Sequence, residues 1–202
     1  MAVPAPSQLL GFSDVRLQYH FDTPETDWDI FTTDGNQAIF RINGGALEGA
    51  VVPNRGYIGS LNHRRHRDIS IEAQVEQTSG ATGNDFGLLC RADAIGNGYY
   101  FVISSAGQFA ILKATADRID PLQLVPWQPS SAIRQGEGRN MLRAVCVGDY
   151  LAFFANDVFL AEVRDSQFDA GEAGVVLAAV GQTVWVRFDS ITLRDPMILG
   201  IN

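Results

Sequence analysis

The stretch LRAVCVGDYLAFFANDVFLAEV, residues 142–163, decides the fold that this sequence predicts. Apolar residues recur at every second position, as in Leu142, Ala144 and Cys146, which is the period of a β-strand. Gly-Asp and Asn-Asp pairs interrupt the pattern twice, and Gly, Asn and Asp tolerate the positive φ angles of tight turns. The stretch therefore predicts three consecutive antiparallel strands connected by tight turns.

The same period of two continues along the rest of the chain. In DVRLQYHFD, residues 14–22, Val15, Leu17 and Tyr19 alternate with polar side chains. About a dozen short strands in succession predict an all-β fold, a two-sheet antiparallel sandwich or jelly roll. We interpret residues 115–139 as a loop that crosses between the sheets, with a helical turn at Ser130–Arg134. The other predicted strands are 37–44, 67–76, 85–92, 98–105, 108–114, 140–149, 150–156, 158–165, 174–180 and 183–193.

The chain has the size of a single domain. It contains 202 residues, 46% of them hydrophobic, which is enough for one well-buried core. We assign the jelly roll to residues 14–194, preceded by an N-terminal arm, 1–13. The apolar tail, 195–202, is expected to fold back onto the domain or to dock on a partner, for example in an oligomer.

Composition excludes several classes of protein. The longest apolar run, VVLAAV at 175–180, is far shorter than the roughly 20 residues of a membrane-spanning helix. A net charge of −8 argues against nucleic-acid binding, which needs a basic face. The first residues, MAVPAPSQLLGF, lack the charged and apolar regions of a signal peptide, so we expect either that the protein stays inside the cell or that a leader was removed.

The two cysteines leave two alternatives open. Cys90 and Cys146 lie in predicted strands whose alternation groups both with core residues. They would form one disulfide in an exported protein and remain two buried thiols in a cytosolic one.

The order of the motifs resembles that of the concanavalin A-like lectin/glucanase jelly rolls. NDFGLLCRADAIGNGYYFVISSAGQFAILK (84–113), the stretch at 142–163 and VRFDSITL (186–193) carry this resemblance, which covers about residues 14–194. More narrowly, the chain resembles bacterial domains related to the 3-keto-disaccharide hydrolase and laminin-G-like groups. The resemblance implies two antiparallel sheets, a concave face, an extracellular or envelope location, and no particular reaction.

No catalytic constellation is recognisable, so we expect a non-enzymatic protein. Glu72 and Glu76 share a strand face, but Gln74 stands between them, and the chain lacks the E-x-D-x-x-E pattern that places two carboxylates about 5 Å apart in retaining glycosidases of this fold. A G-x-S-x-G elbow is also absent. The first hypothesis is a carbohydrate-binding or interaction module without a cofactor. The alternatives are a glycoside-acting hydrolase of the keto-disaccharide type and a structural subunit of an oligomer.

Alternation also predicts a ligand-binding face. If Leu88 and Cys90 point into the core, neighbouring strand positions point to the other face of the same sheet. Exposed aromatics there would stack on sugar rings, and polar groups would bind hydroxyls. The predicted ligand-binding residues are Arg91, Tyr100, Ser104, Trp127 and Trp185.

A cluster of basic residues interrupts this acidic chain within LNHRRHRDISIEA, residues 61–73. Zinc is not expected here, because three arginines surround the two histidines. The cluster is interpreted as a charged corner that blunts a sheet edge, as a docking site for an acidic protein partner, or as a site for an anionic glycan or phosphate. The predicted partner-binding residues are His63, Arg64, Arg65, His66 and Arg67.

Calcium is the one metal that the sequence suggests, as a structural ion near the paired terminal strands. Asp22 after the first strand and Asp189 in the last are the expected ligands, although both also suit turn capping.

Replacing Arg64, Arg65 and Arg67 together by serine is expected to leave thermal stability nearly unchanged, because surface substitutions typically alter stability by only about 0.5 kcal/mol. Thermal unfolding and salt-dependent partner binding test this expectation. An unfolding transition several degrees lower, with no partner present, would show that the arginines stabilise the domain internally.

Overall fold

A computed structural model describes residues 10–23 and 27–198. The described chain is all-β, and every strand pairing is antiparallel, so the predicted two-sheet jelly-roll sandwich is confirmed. Within these ranges no helix is long and apolar enough to span a membrane. The strands are β1 (Leu10–Tyr19), β2 (Phe31–Thr32), β3 (Ala38–Ile42), β4 (Leu47–Val51), β5 (Ile58–His66), β6 (Ile69–Ser79), β7 (Asp85–Ala92), β8 (Gly98–Ser104), β9 (Gln108–Ala114), β10 (Leu122–Pro129), β11 (Asn140–Val147), β12 (Tyr150–Ala155), β13 (Val158–Arg164), β14 (Gly171–Ala178) and β15 (Val184–Ile198).

The strands form one nine-stranded and one six-stranded sheet. The larger sheet has the order β13-β12-β11-β6-β15-β4-β3-β2, and β1 pairs with β15 as the ninth strand. The smaller sheet has the order β10-β9-β8-β7-β14-β5, so β5 and β10 are its edges.

The stretch at 142–163 folds as its pattern predicts. Leu142 pairs with Ala155 and Ala144 with Phe153 across β11 and β12, and β13 follows after a second two-residue turn. Asn156 and Asp157 both have positive φ, 52° and 63°, which these two residue types adopt more easily than most.

The core lies between the inner faces of the two sheets. Leu88 and Phe101 from the six-stranded sheet and Ile71, Phe153 and Phe188 from the nine-stranded sheet are fully buried there. Phe101 and Phe153 meet edge to face, with 5.6 Å between ring centroids, a favourable aromatic geometry. The inward-facing apolar positions of the alternating pattern therefore form one continuous cluster between the sheets.

A disulfide between Cys90 and Cys146 connects the two sheets. Cys90 lies in β7 and Cys146 in β11, both are completely buried, and their Cα atoms are 6.8 Å apart. Of the two alternatives that the sequence left open, the structure contains the bridge.

The connection at 115–139 differs from the prediction. Leu122–Pro129 forms strand β10, which pairs with β9 at an edge of the six-stranded sheet. Two prolines in this segment led to its interpretation as a loop. An edge strand tolerates proline because the N–H groups on one of its sides do not donate hydrogen bonds to a neighbouring strand. The predicted helical turn is a single hydrogen-bonded turn, with Ile133 N donating to the Ser130 carbonyl at 3.3 Å. Strands β2, β4 and β5 were also missed.

The two ends of the described chain pair with each other. Leu10 lies opposite Ile198, and Phe12 opposite Pro196, so the inner parts of the predicted arm and tail are strands. Residues 1–9 and 199–202 lie outside the described residues, and docking of the tail on a partner stays a prediction.

Replacing Cys90 and Cys146 together by serine is expected to lower the free energy of unfolding by about 2–4 kcal/mol, because the bridge restricts the unfolded chain. The bridge spans a sequence separation of 56 residues, so the effect should be of ordinary size for a native disulfide. Urea unfolding measures the difference, and the reduced wild-type protein serves as the control, since it should match the double variant. Two free thiols, found by alkylation and intact mass in protein from an oxidising compartment, would contradict the bridge.

Candidate functional site

The outer face of the six-stranded sheet is apolar and is covered in part by loops. Its buried side chains form a cluster of their own, separate from the core between the sheets. Tyr57 and Trp127, which are partly exposed, pack against this cluster. The sheet is thus buried on both faces, but its outer cover is incomplete. The cluster contains Leu61, Leu89, Ala92, Tyr100, Val102, Ala110, Leu112, Ala114 and Val176.

A cleft of about 470 Å³ opens above this cluster. Its floor is apolar, with Leu61, Leu89 and Ala92, and Tyr57 and Tyr100 also line it. Two carboxylates, those of Asp29 and Asp93, complete the lining. Volume and composition match a small-molecule site, which usually combines apolar walls with a few polar groups.

The two tyrosines of the cleft are held rigidly. Their rings pack edge to face, with centroids 5.5 Å apart. The Tyr100 hydroxyl donates to the Gly96 carbonyl at 2.7 Å, and the Tyr57 hydroxyl donates to Oδ2 of Asp85 at 2.7 Å. Each ring is therefore held both by contact with the other ring and by a hydrogen bond from its hydroxyl group.

Asp85 anchors Tyr57 from within the protein. Burial raises the pKa of the Asp85 carboxyl to about 6, and the hydrogen bond from Tyr57 opposes this shift. Burial next to this carboxylate also raises the pKa of Tyr57 well above its usual value, so its hydroxyl remains a donor. The anchor thus depends on a carboxyl group that titrates near neutral pH.

Asp93 shapes the turn at one wall of the cleft. Its Oδ1 accepts hydrogen bonds from the backbone N–H groups of Ile95 and Asn97, at 3.1 and 3.0 Å, and its Oδ2 accepts one from the Asn97 side chain at 2.7 Å. The carboxylate is fixed by the loop and retains lone pairs for a ligand donor.

Asp29 forms the opposite wall and docks on the edge strand β5. Its N–H donates to the Leu61 carbonyl, and its Oδ2 accepts from the Leu61 N–H at 3.2 Å. Its Oδ1 lies 2.8 Å from Nε2 of His63, whose Nδ1 is 3.5 Å from Glu172. His63 therefore links the predicted basic cluster to the cleft.

A β-bulge in β5 places His63. Leu61 pairs with Gly174 and Arg65 with Glu172, so three residues of β5 oppose one residue of β14, and His63 has a positive φ of 51°. The side chain of Asn62 accepts from the Ala173 N–H that the bulge leaves without a strand partner.

The rest of the basic cluster mostly has acidic partners within the chain. The basic cluster lies at the end of strand β5 and not at the beginning of β6. Arg64 pairs with Asp27, and Arg67 pairs with Asp169 at 3.1 Å. His66 is only 3% exposed, and burial lowers its pKa to about 4. The prediction of partner binding was therefore wrong for His66, because its side chain is inside the protein.

Arg91 does not lie on the cleft face, contrary to the prediction. A register shift at the end of β7 and a φ of 52° at Arg91 turn its side chain away, so Ala92 occupies the outer face instead. The buried guanidinium donates to the carbonyls of Arg67 and Phe168 at 2.8 and 3.0 Å and pairs with Asp68. Burial lowers the pKa of Arg91, and Asp68 opposes this shift.

The other predicted ligand residues divide between the two sheets. Tyr100 lines the cleft, and Trp127 packs on the same outer cluster. Ser104 lies two positions along from Val102 on this face, but it is buried. The placement of Trp185 was wrong, since it belongs to the nine-stranded sheet, where the Arg41 guanidinium lies 4.9 Å from its ring centroid.

The carboxylates considered for catalysis are paired with arginines. Glu72 pairs with Arg143 and Glu76 with Arg139, at 2.6 and 2.7 Å.

Asp22 and Asp189, which were expected to bind calcium, are not joined by further acidic, histidine or cysteine ligands among the described residues. Asp189 accepts from Arg187 at 3.1 Å, and Arg187 also lies 3.6 Å from Glu48. Within residues 10–23 and 27–198, no group of three or more His, Cys, Asp or Glu side chains is placed to hold a metal ion. Calcium binding at Asp22 and Asp189 stays a prediction.

Three cleft residues were missed by sequence reasoning. Asp29 occurs in TDWDIF, whose two aspartates are complementary in charge to the basic cluster that they bind. Tyr57 follows the turn-forming residues Asn54 and Gly56, and Asp93 begins the AIGNG turn. These signals mark turns, and they do not by themselves indicate a shared site.

No family model matches the chain, and no curated protein matches its sequence. Solved structures do match. The carbohydrate-binding module CBM66 from Bacillus subtilis aligns with a TM-score of 0.66 at 17% identity, over 85% of this chain and 97% of that one. The fold is a concanavalin A-like jelly roll.

Two further structures support the same fold. A protein of unknown function with a galectin-like fold from Bacillus subtilis aligns with a TM-score of 0.70 at 9% identity, over 93% of this chain and 99% of that one. The catalytic domain of an endo-1,3-beta-glucanase (laminarinase) from Thermotoga petrophila RKU-1 aligns at 0.61 and 8% identity, over 92% and 98%. Such identities establish the fold alone, and the function has to be argued from the cleft.

Asp85→Asn is expected to remove a pH dependence of stability. The folded pKa of Asp85 is raised above its unfolded value of 3.8 to about 6, so its protonated form contributes stability below about pH 4 that is lost as pH rises through about 6. The unfolding free energy of the wild type should therefore fall relative to that of the variant by on the order of 2–3 kcal/mol over this range.

Urea unfolding of both proteins from about pH 4 to about pH 7 measures this difference. The comparison between variants is needed because His66, with its lowered pKa, contributes in the opposite direction over the same range. A difference that does not change with pH would contradict the assignment of the buried carboxyl.

Proposed function

We propose that this chain is a non-enzymatic carbohydrate-binding module that binds a sugar in the cleft between Asp29 and Asp93. The observation that carries the proposal is the rigid pair of tyrosines, Tyr57 and Tyr100, between two carboxylate-bearing walls. Apolar faces of sugar rings pack on aromatic side chains, while sugar hydroxyls donate hydrogen bonds to carboxylates and carbonyls.

The hydrogen-bonding pattern of the cleft suits a ligand rich in donors. Both tyrosine hydroxyls already donate within the protein, and the side chains of Asp29 and Asp93 act as acceptors. A sugar supplies several hydroxyl donors on a small ring and therefore complements such a surface. Binding would be shallow and would need little rearrangement, since the cleft is already formed.

A hydrolase remains the alternative, because the solved structures that share the fold include glycanases as well as binding modules. Glycoside hydrolysis requires one carboxyl group to donate a proton and a second to act as base or nucleophile. Asp29 is engaged by His63 and a backbone N–H, and Asp93 is engaged by its own turn. Such fixed acceptors favour binding over proton transfer.

An extracellular or envelope location is part of the proposal. The Cys90–Cys146 disulfide supports it, because bridges of this kind persist in oxidising compartments.

Tyr57→Ala is expected to weaken binding of an oligosaccharide about tenfold or more, because the ring supplies much of the stacking surface of the cleft. Tyr57→Phe keeps the ring and should retain affinity within about twofold. Phe159→Ala is a matched control, since it removes an aromatic that is 41% exposed on β13 of the other sheet. A glycan array identifies the oligosaccharide, and calorimetry measures the affinities.

An equal loss of affinity in the Phe159 variant, or unchanged affinity in Tyr57→Ala, would contradict a site in this cleft. Incubation of the wild type with the bound oligosaccharide tests the alternative. Release of new reducing ends would favour the hydrolase, and an intact oligosaccharide would favour the binding module.

A further inference from the structure

A second depression, of about 250 Å³, lies next to the cleft on the same face. Four residues, Tyr57, Ile95, Gly96 and Tyr100, line both spaces. A ligand that fills the cleft and extends past this shared wall therefore enters the second depression. The two depressions are therefore adjacent, and we refer to them together as a groove with two halves.

The two halves differ in charge. The cleft carries the carboxylates of Asp29 and Asp93 and no basic side chain. The second depression carries the guanidinium groups of Arg55 and Arg118 and no acidic side chain. The remaining lining is small or apolar, and it includes Ile119, which is fully exposed to solvent.

Neither arginine forms an ion pair with another residue in the described ranges, 10–23 and 27–198. The Nε of Arg118 donates to the backbone carbonyl of Asp120 at 3.4 Å. Asp117 lines a different depression together with Lys113, and Arg118 borders that depression as well. A hydrogen bond from Thr115 and, to a smaller extent, the charge of Arg118 lower the pKa of Asp117, so Arg118 is partly compensated by this carboxylate.

Most other arginines of the chain, by contrast, form ion pairs with carboxylates. In a protein of net charge −8, acidic partners are abundant. The arginines that form ion pairs with carboxylates are Arg16, Arg41, Arg64, Arg67, Arg91, Arg139, Arg143, Arg164 and Arg187.

We infer that the second depression binds an anionic substituent of the glycan that occupies the cleft. This inference rests on the proposed carbohydrate binding and specifies its ligand class. The glycan would place a hydroxyl-rich residue between Asp29 and Asp93 and a carboxylate, sulfate or phosphate group next to Arg55 and Arg118. Arginine binds planar and tetrahedral oxyanions through paired N–H donors.

Charge also fixes the orientation of such a ligand. The carboxylates of Asp29 and Asp93 repel an anion from the first half, and the two guanidinium groups attract it to the second half. A neutral glycan would still stack on Tyr57 but would gain nothing from the arginines. If the protein prefers an acidic glycan, replacing the two arginines should therefore abolish that preference.

The test compares oligosaccharides of one backbone in neutral, uronate-bearing and sulfated forms, chosen from the glycans bound on an array. The wild type is expected to bind an acidic form about tenfold more tightly than the neutral form at low salt, and high salt should reduce the difference. Calorimetry with the separate uronate and sulfate probes identifies which anion is preferred.

The variant Arg55→Gln/Arg118→Gln should lose this preference and keep its affinity for the neutral form. Arg65→Gln is the matched control, because Arg65 is exposed and lines neither half of the groove. Tyr57→Ala should weaken the binding of both the acidic and the neutral oligosaccharide. This result would distinguish specific binding in the groove from general attraction of an anion.

Equal affinity for acidic and neutral forms would overturn this inference and leave the proposed function in place. A preference for the acidic form that persists in the double arginine variant would also overturn it. Binding of the acidic form that is unchanged by Tyr57→Ala would do the same. Wild-type protein that binds no glycan of any kind would overturn the proposed function itself.

Discussion

The burial of strand β8 on both faces is the constraint on which the rest of the structure depends. Every residue of Gly98–Ser104 is buried. Tyr99, Phe101 and Ile103 face the core between the sheets, and Tyr100 and Val102 face outward. A sheet that is apolar on both sides needs a second cover, which in many folds is a layer of helices. Here loops provide it, and because loops cover the sheet incompletely, they leave a cleft with an apolar floor and polar walls.

Two bulges decide what stands in that cleft. In β7 the left-handed conformation of Arg91 changes which residue faces outward, and the small side chain of Ala92 lies on the cleft floor in place of a long arginine. In β5 the bulge at His63 turns the imidazole toward Asp29. Bulges redirect side chains in this way at many binding sites. The space in the cleft and the support of its acidic wall both follow from local departures from strand geometry.

The distribution of charge separates the two sheets. The outer face of the nine-stranded sheet pairs its glutamates with arginines, as in Glu72–Arg143 and Glu76–Arg139. Exposed pairs of this kind contribute little to stability, but they leave few charges free for a partner. On the six-stranded sheet, Asp29 and Asp93 line the cleft, and the nearby Arg55 and Arg118 form no ion pair among the described residues. This difference in charge supports the proposal that the face with the cleft is the binding face.

The sequence by itself determined the all-β class, the position of most strands, the tight turns at 148–149 and 156–157, and the core positions of Cys90 and Cys146. These features depend on alternation and turn chemistry, which are local and therefore visible in a linear pattern. Tyr100 was also predicted, because strict alternation holds along β8. The tertiary structure alone decided that Arg91 leaves the face, that Trp185 belongs to the other sheet, and that Asp29, Tyr57 and Asp93 meet. Each of these outcomes depends on a bulge or on contacts between segments far apart in sequence, and alternation carries no information about which loop will cover which face of a sheet.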